Sequence, residues 1–310
     1  MKFDVIGLGV STLDVITLVE HFPAQDEVQR ALAVAVQGGG PVATAMVTLA
    51  RLGARVAMLD HLGDDWRAEL IHQEFLREGV CTEYLKVSEG FTSSIATVLV
   101  RRADGARAIA YAPGTTPELS GSDVPEDLLA SASILHLNGR HWEACIQASR
   151  YARQNQVLVS FDGGAHRYRP QLRDLIPLTD ICIVARHFAS QYTGETEIAG
   201  AARGLLREGP GLVVITDGTR GSWVYPAQGH SFHQPAYLVP DVVDTTGCGD
   251  SYHGAFLFGL VKGLSLEQTA ALASAVAALN SRGLGGRSAL PSLGQAIAFL
   301  SERGVTLPSL

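Results

Sequence analysis

Short apolar runs alternate with amphipathic helical segments along most of this sequence, and that alternation narrows the fold more than any other feature. Phe3 to Leu8, Val56 to Leu59, Ile134 to Leu137, Val157 to Phe161, Ile181 to Val184 and Leu212 to Thr216 read as strands. Pro41 to Leu52 reads as a helix, with Val42, Ala45, Met46 and Leu49 on one face, Pro41 in its first turn and Gly53 at its end. Asp64 and Asp65 open a second helix that carries Trp66, Leu70 and Phe75 and stops at Gly79. Carboxylates at a helix start cap free amides and complement the dipole. Further helices are expected near 141–154, 196–208, 251–262, 265–281 and 292–302. Strands and helices in turn imply an α/β fold, a doubly wound and mostly parallel sheet flanked by helices on both faces. The 310 residues suffice for such a core, since folding at that size buries roughly 75% of the extended surface.

Two segments interrupt the alternation. Residues 14–36 are extended and contain Pro23. Residues 91–112 read as a β-hairpin, with Ile95 to Val100 and Ala108 to Tyr111 as strands and Ala103-Asp104-Gly105 as the turn. Together they are expected to form a small β-sheet lid over a core made of 1–13, 37–90 and 113–310. Ordinary edge strands of the main sheet are the alternative. Composition excludes several classes. The net charge of −7 makes nucleic acid a poor partner, and 46% apolar with 18% charged residues argues against disorder. Cys81, Cys145, Cys182 and Cys248 lie 64, 37 and 66 residues apart, which forms neither a close metal-binding pair nor the framework of a small disulfide-rich domain. No apolar run approaches the roughly 18 residues that a membrane span needs. The opening MKFDVIGLGVSTLD reads as strand and loop rather than signal peptide, so a cytoplasmic protein without a membrane partner is expected.

The most informative local string is Asp244-Thr245-Thr246-Gly247-Cys248-Gly249-Asp250, followed by a stretch in which Tyr252, Phe256 and Leu260 recur at helical spacing. Its glycines lie at a helix amino terminus, where free amides and the dipole favour an anion. Asp250 shares that turn and is placed to accept a proton from a hydroxyl nucleophile; capping the helix is its alternative role. A second cluster, Gly38-Gly39-Gly40-Pro41-Val42-Ala43-Thr44-Ala45, stands at a strand–helix junction and suits either close approach of a ligand or a tight turn. Gly7-Leu8-Gly9 lacks the third glycine of a dinucleotide motif, position 12 being Thr12, and no GxxxxGK[ST] string occurs.

The two clusters, in this order and joined by this α/β pattern, resemble the ribokinase-like (PfkB) carbohydrate kinases over nearly the whole chain. The likeness is greatest to the ketose and sulfosugar kinase branch, including the segment GLGGRSALP from Gly283 to Pro291. The resemblance implies a ribokinase-like fold and ATP-dependent phosphorylation of a sugar hydroxyl, with ATP and Mg2+ as cofactors, K+ as a further candidate, and a homodimer formed through the β-lid. It implies Asp250 as the base and Gly247, Cys248 and Gly249 as the anion hole. Asp14, Gly39 and Gly40 match sugar-binding positions. Thr216, Gly218 and Gly221 look like the loop beside the nucleotide phosphates, and Asn280 falls near the adenine pocket. Asp244 and Thr246 fall where family members hold a monovalent cation.

The sequence departs from the family in three places. Cys248 replaces a small residue; its amide still serves, and a reactive thiol is the alternative. Thr44, a substrate-binding candidate, stands where many members carry a sugar-binding asparagine. Val184 to Ala189 lacks the usual Asn-x-x-Glu pattern, which leaves magnesium to phosphates and water or makes the protein a weak kinase.

Outside the motifs, Asn138 and Arg140 follow a strand's carboxyl end, where ligands of α/β proteins collect. Asn138 suits a sugar hydroxyl. Arg140 suits a phosphate, sulfonate or carboxylate on a substituted sugar, or else a surface ion pair. Asp162 ends another strand and either organises water and magnesium or simply forms a turn before two glycines. Arg101, Arg102 and Arg107 are expected to solvate the hairpin turn. A nucleoside kinase and a sugar- or nucleotide-binding regulator are the alternative functions.

Overall fold

The computed structural model describes residues 2–310, which form two sheets. The chain runs from β1 (Phe3–Leu8) out to β2 (Thr12–Val19) and β3 (Ala33–Gly39). It returns through α1 (Pro41–Arg51), β4 (Val56–Gly63), α2 (Trp66–Arg77) and β5 (Leu85–Ser88), then leaves again as β6 (Ser94–Arg101) and β7 (Arg107–Ala112). Next come α3 (Glu126–Ala130), β8 (Ala132–Leu137), α4 (Trp142–Gln154), β9 (Leu158–Gly163) and β10 (Ile181–Ala185). They are followed by α5 (Arg186–Thr193), α6 (Ile198–Arg207), β11 (Leu212–Thr216), β12 (Ser222–Pro226) and β13 (Phe232–Gln234). Helices α7 (Cys248–Val261), α8 (Leu266–Asn280) and α9 (Leu293–Ser301) complete the fold.

The large sheet has the order β13-β12-β11-β10-β9-β8-β1-β4-β5, parallel except for β12 and β13. Consecutive residues of its strands enter opposite cores, as a two-residue side-chain period requires. Val5 packs with α1, α7 and α8, whereas Ile6 and Leu8 pack with α4, α5 and α6. This two-sided burial is why the strands read as unbroken apolar runs. Helix α7 is buried from Ser251 to Gly259, since it lies between α1 and α8.

The small sheet has the order β3-β2-β6-β7, with β2 and β6 parallel at its centre. Its strands begin at Thr12 and run to Gly39, so Asp14 and Gly39 both lie within the small sheet, whose edges fall two to three residues outside the expected 14–36. β5, β12, β13, α3 and α5 were not legible from periodicity. The strands among them are three to five residues long, and α5 starts at a strand end with no side-chain cap. Among the described residues, no helix is long and apolar enough to cross a membrane.

Candidate active site

The candidate residues gather at the carboxyl ends of the large-sheet strands, against the small sheet. Each glycine of Gly38-Gly39-Gly40 answers to a different neighbour. A β-carbon at Gly38 would fall on the Arg287 guanidinium, one at Gly39 on the Asp14 carboxylate, and one at Gly40, whose φ is +92°, on the Val10 carbonyl. Protein groups therefore make the close approaches. Asp14 is 8% exposed, and its Oδ1 accepts the Thr12 hydroxyl at 2.7 Å. Burial raises its pKa; the Thr12 bond and Arg287 oppose this, while the charges of Asp250 and Glu74 add to it. Thr44 is buried, and its Oγ1 accepts from Arg287 Nε at 3.0 Å. That bond commits one lone pair of the hydroxyl to the protein.

Helix α7 starts behind Gly247, whose φ of +71° is a left-handed cap that a side chain would strain. The amides of Gly249 and Asp250 have no protein acceptor among the described residues, and nothing lies within 4 Å of where a Gly249 β-carbon would stand. Free amides facing open space at the positive end of a helix form an anion-binding surface. Asp250 sits in this turn. Burial is the main cause that lifts its pKa above the ordinary 3.8; Arg167 opposes, Asp162 adds to the rise, and His253 and Arg107 oppose. Burial pushes the Cys248 thiol up to about 12, so it is protonated at neutral pH.

Asp162 at the end of β9 is buried, faces His253 Nε2 at 3.5 Å and Arg167 Nη1 at 3.8 Å, and has an Oδ2 without a hydrogen-bond partner. Burial lowers His253 to about 4 and His136 to about 3, so both imidazoles are neutral at pH 7. Arg101 pairs with Asp104 and Arg102 with Glu20 around the hairpin turn. Arg107 behaves differently from the expectation. It donates to Thr245 Oγ1 at 2.9 Å, and that hydroxyl donates to Gly105 O at 3.1 Å, so the hairpin tip docks on the loop before the α7 turn.

A small recess opens between the sheets, lined by Ser11, His61, Ser94, Arg140 and His141 among others. Arg140 Nε and Ser11 Oγ are buried there without partners. Asn138 Oδ1 accepts from the Arg140 amide at 3.2 Å. His141 holds this loop at φ +57°. Its Nδ1 accepts the Leu119 amide at 3.0 Å, which leaves Nε2–H to donate to Asp60 Oδ1 at 2.9 Å. Asp60 Oδ2 in turn accepts the Ser11 amide at 2.6 Å. One buried Asp–His pair thus pins two walls of the recess.

On the other flank, Thr216 ends β11, and Gly218 and Gly221 turn the chain at φ +54° and +91°. The Tyr252 hydroxyl bonds Ser222 Oγ at 2.8 Å and ties this loop to α7. Arg186, the first residue of α5, pairs with Asp217 at 3.2 Å where the Asn-x-x-Glu pattern is missing. Asp244 is fully buried, and its two oxygens accept the Thr246 and Gly285 amides, each at 2.8 Å; Thr246 Oγ1 has no partner. Asn280 is also fully buried and donates to Gly286 O at 2.8 Å. Through that bond it braces the backbone behind Gly247, while its Oδ1 is buried without a partner.

No local motif marks Arg167 or Glu74, which become neighbours of the site only in the fold, whereas His253 follows Asp250 on α7. Arg287 at least lies within the Gly283 to Pro291 segment. The assembled geometry is a single carboxylate next to free amides, with cations near it and hydroxyl-binding groups across the cleft. Such a site suits in-line transfer of an anionic group to an alcohol.

Comparison with known proteins agrees. A sequence profile described as pfkB family carbohydrate kinase matches residues 2–293. Aminoimidazole riboside kinase of Salmonella typhimurium is 31% identical over 287 residues, covering 86% of this chain and 89% of its own. Ketohexokinase of Mus musculus is 24% identical over 275 residues, covering 85% and 91%. In structure, a putative ribokinase II from E. coli in complex with ATP and Mg2+ superposes with a TM-score of 0.85 at 22% identity, covering 97% of this chain and 99% of that one. By its sequence match and its shared architecture, the chain belongs to the pfkB family of carbohydrate kinases.

Proposed function

We propose that this protein transfers the γ-phosphoryl group of ATP to a hydroxyl of a sugar or substituted sugar. The observation that carries the reading is the Asp250 carboxylate in the first turn of α7, beside the unpaired amides of Gly249 and Asp250, with open space before them. A sugar hydroxyl facing Asp250 gives its proton to the carboxylate as its oxygen bonds to phosphorus. The bond from phosphorus to the ADP oxygen breaks on the far side, and ADP takes the electron pair. Amides of the Gly247-Cys248-Gly249 turn and of Asp250 receive the charge on the phosphoryl oxygens, the Cys248 amide turning from its long 3.4 Å bond to Thr245 O. Asp14, Gly39, Gly40 and Asn138 orient the sugar, and Thr216, Gly218 and Gly221 flank the nucleotide phosphates. Arg107 and Arg167 add positive charge beside Asp250.

The residues present fit Mg2+ held mainly by phosphates and water, because Asp162 Oδ2 is a buried carboxylate oxygen that makes no hydrogen bond and has only Arg167 Nη1 near it, at 3.8 Å. When bound, the ion neutralises charge on the β- and γ-oxygens. At the K+ candidate residues each Asp244 oxygen accepts one backbone amide and Thr246 Oγ1 is buried without a partner; no step is drawn through that ion.

The unpaired Arg140 Nε and Ser11 Oγ favour an acceptor that carries an anionic substituent into the recess. A riboside acceptor is the second reading, because a riboside kinase is 31% identical. We also place a homodimer contact on the lid, where Val34, Val36, Ile109 and Tyr111 are 62%, 52%, 53% and 43% exposed.

The test is a panel of neutral sugars, anionic sugars and nucleosides with magnesium-ATP. ADP formation should depend on one acceptor class. Asp250→Asn should lose about 10²–10⁴-fold in turnover, the usual worth of a positioned base, and keep ATP binding by calorimetry. Equal turnover by wild type and Asp250→Asn rejects the assigned base. Binding without turnover across the panel would mark a regulator instead.

A further inference from the structure

The segment Gly283 to Pro291 crosses the back of the site as a strap, and one side chain fastens it. Arg287 is 3% exposed, yet its guanidinium reaches three elements. Nε donates to Thr44 Oγ1 at 3.0 Å, in the first turn of α1. Nη1 donates to Glu74 Oε1 on α2 at 3.1 Å, and Nη2 donates to Gly39 O at the end of β3 at 2.9 Å. Glu74 Oε2 accepts the Gly38 amide at 2.5 Å, which closes a ring of bonds around the diglycine. The guanidinium also lies 5.7 Å from the Phe75 ring centroid. The preceding residue, Gly286, packs its backbone against Gly247 so tightly that a β-carbon there would lie 2.6 Å from it.

We propose that Arg287 is a positioning residue that sets the sugar half of the cleft and holds it in register with the α7 amides. The inference rests on the kinase reading of the Asp250 cleft and deepens it. Arg287 fixes Gly38, Gly39 and Thr44 from behind, and the Asp14 carboxylate lies directly over Gly39. Gly286, one residue away, backs the turn that would hold the phosphoryl group. One rigid fork therefore links the element that orients the attacking hydroxyl to the element that receives the phosphoryl charge. A fork serves where an ammonium does not, because three acceptors in different directions must be met at once.

The experiment compares Arg287→Lys with Arg51→Lys. Arg51 anchors the far end of the same strap through Leu290 O and Glu78, away from the cleft. Arg287→Lys should raise the sugar KM about tenfold and lower kcat up to about 100-fold, as small misplacements of reacting groups do, with the ATP KM within twofold. Arg51→Lys should lower the melting temperature and leave both KM values unchanged. Thr44→Val, which deletes a single acceptor hydroxyl, should shift the sugar KM the same way by a smaller factor and guards against misfolding of Arg287→Lys. Amide hydrogen exchange gives a readout independent of turnover: Arg287→Lys should speed exchange at Gly38 to Thr44 and at Gly247 to Gly249. Equal rises in both KM values alongside a melting shift, or an unchanged sugar KM in Thr44→Val, would overturn the proposal. If wild type phosphorylates nothing, the kinase reading fails on its own, and unchanged exchange at Gly38 to Thr44 would overturn the clamp as well.

Discussion

Replacing Gly249 by alanine should make the protein more stable and less active at the same time. A β-carbon there meets no heavy atom within 4 Å, so the fold gains no clash. The residue lies in the first turn of α7, where alanine is favoured over glycine by up to about 1 kcal/mol. For a chain of this size that is a rise of about 1–3 °C in Tm. On the proposed mechanism the same methyl stands in the turn whose amides receive the phosphoryl group. Displacing it by about 1 Å costs on the order of 10²-fold in rate. Gly247→Ala gives the contrast. It requires a left-handed conformation, worth about 1–2 kcal/mol against any other residue. It also places a β-carbon 2.6 Å from the Gly286 backbone, so stability and activity should fall together. Calorimetric melting and a coupled assay of ADP release read both quantities. Wild-type kcat and ATP KM in Gly249→Ala would refute the assignment of those amides to the phosphoryl group.

The raised pKa of Asp250 sets two further expectations. The proposed mechanism uses Asp250 ionised, so kcat/KM should fall on the acid side with an apparent pKa above the ordinary carboxylate value of 3.8. The folded state binds the Asp250 proton more tightly than the unfolded state does, so this group costs stability as pH rises from that ordinary value through the raised one. Asp250→Asn should consequently melt higher than wild type at pH 7, and the two curves should converge in acid; a lower melting point at pH 7 would contradict the burial argument. The Cys248 thiol, at about 12, should resist alkylation at pH 8 in the native protein, and Cys248→Ala should keep near wild-type turnover. Rapid labelling together with loss of activity would point to a reactive thiol instead.

The amino-acid sequence by itself determined the layered sheet, the separate small sheet and the glycine-rich turn that opens α7. Each is written in neighbouring residues: apolar runs for strands covered on both faces, a hairpin turn at Ala103 to Gly105, and glycines with Asp250 at the start of a helix. Local periodicity and local backbone chemistry suffice for such features. Tertiary structure alone decided which charges surround that turn. Arg287 meets Thr44 across 243 residues of chain and Glu74 across 213, and Arg107 meets Thr245 across 138, so no window of sequence contains either partner of another. The same distance governs two of the predicted residues: Asn280 meets Gly286 O and Thr44 meets Arg287, contacts that no local string announces. A polar group withdrawn from water must be satisfied from whatever the fold brings near it, and only the packed chain decides what that is.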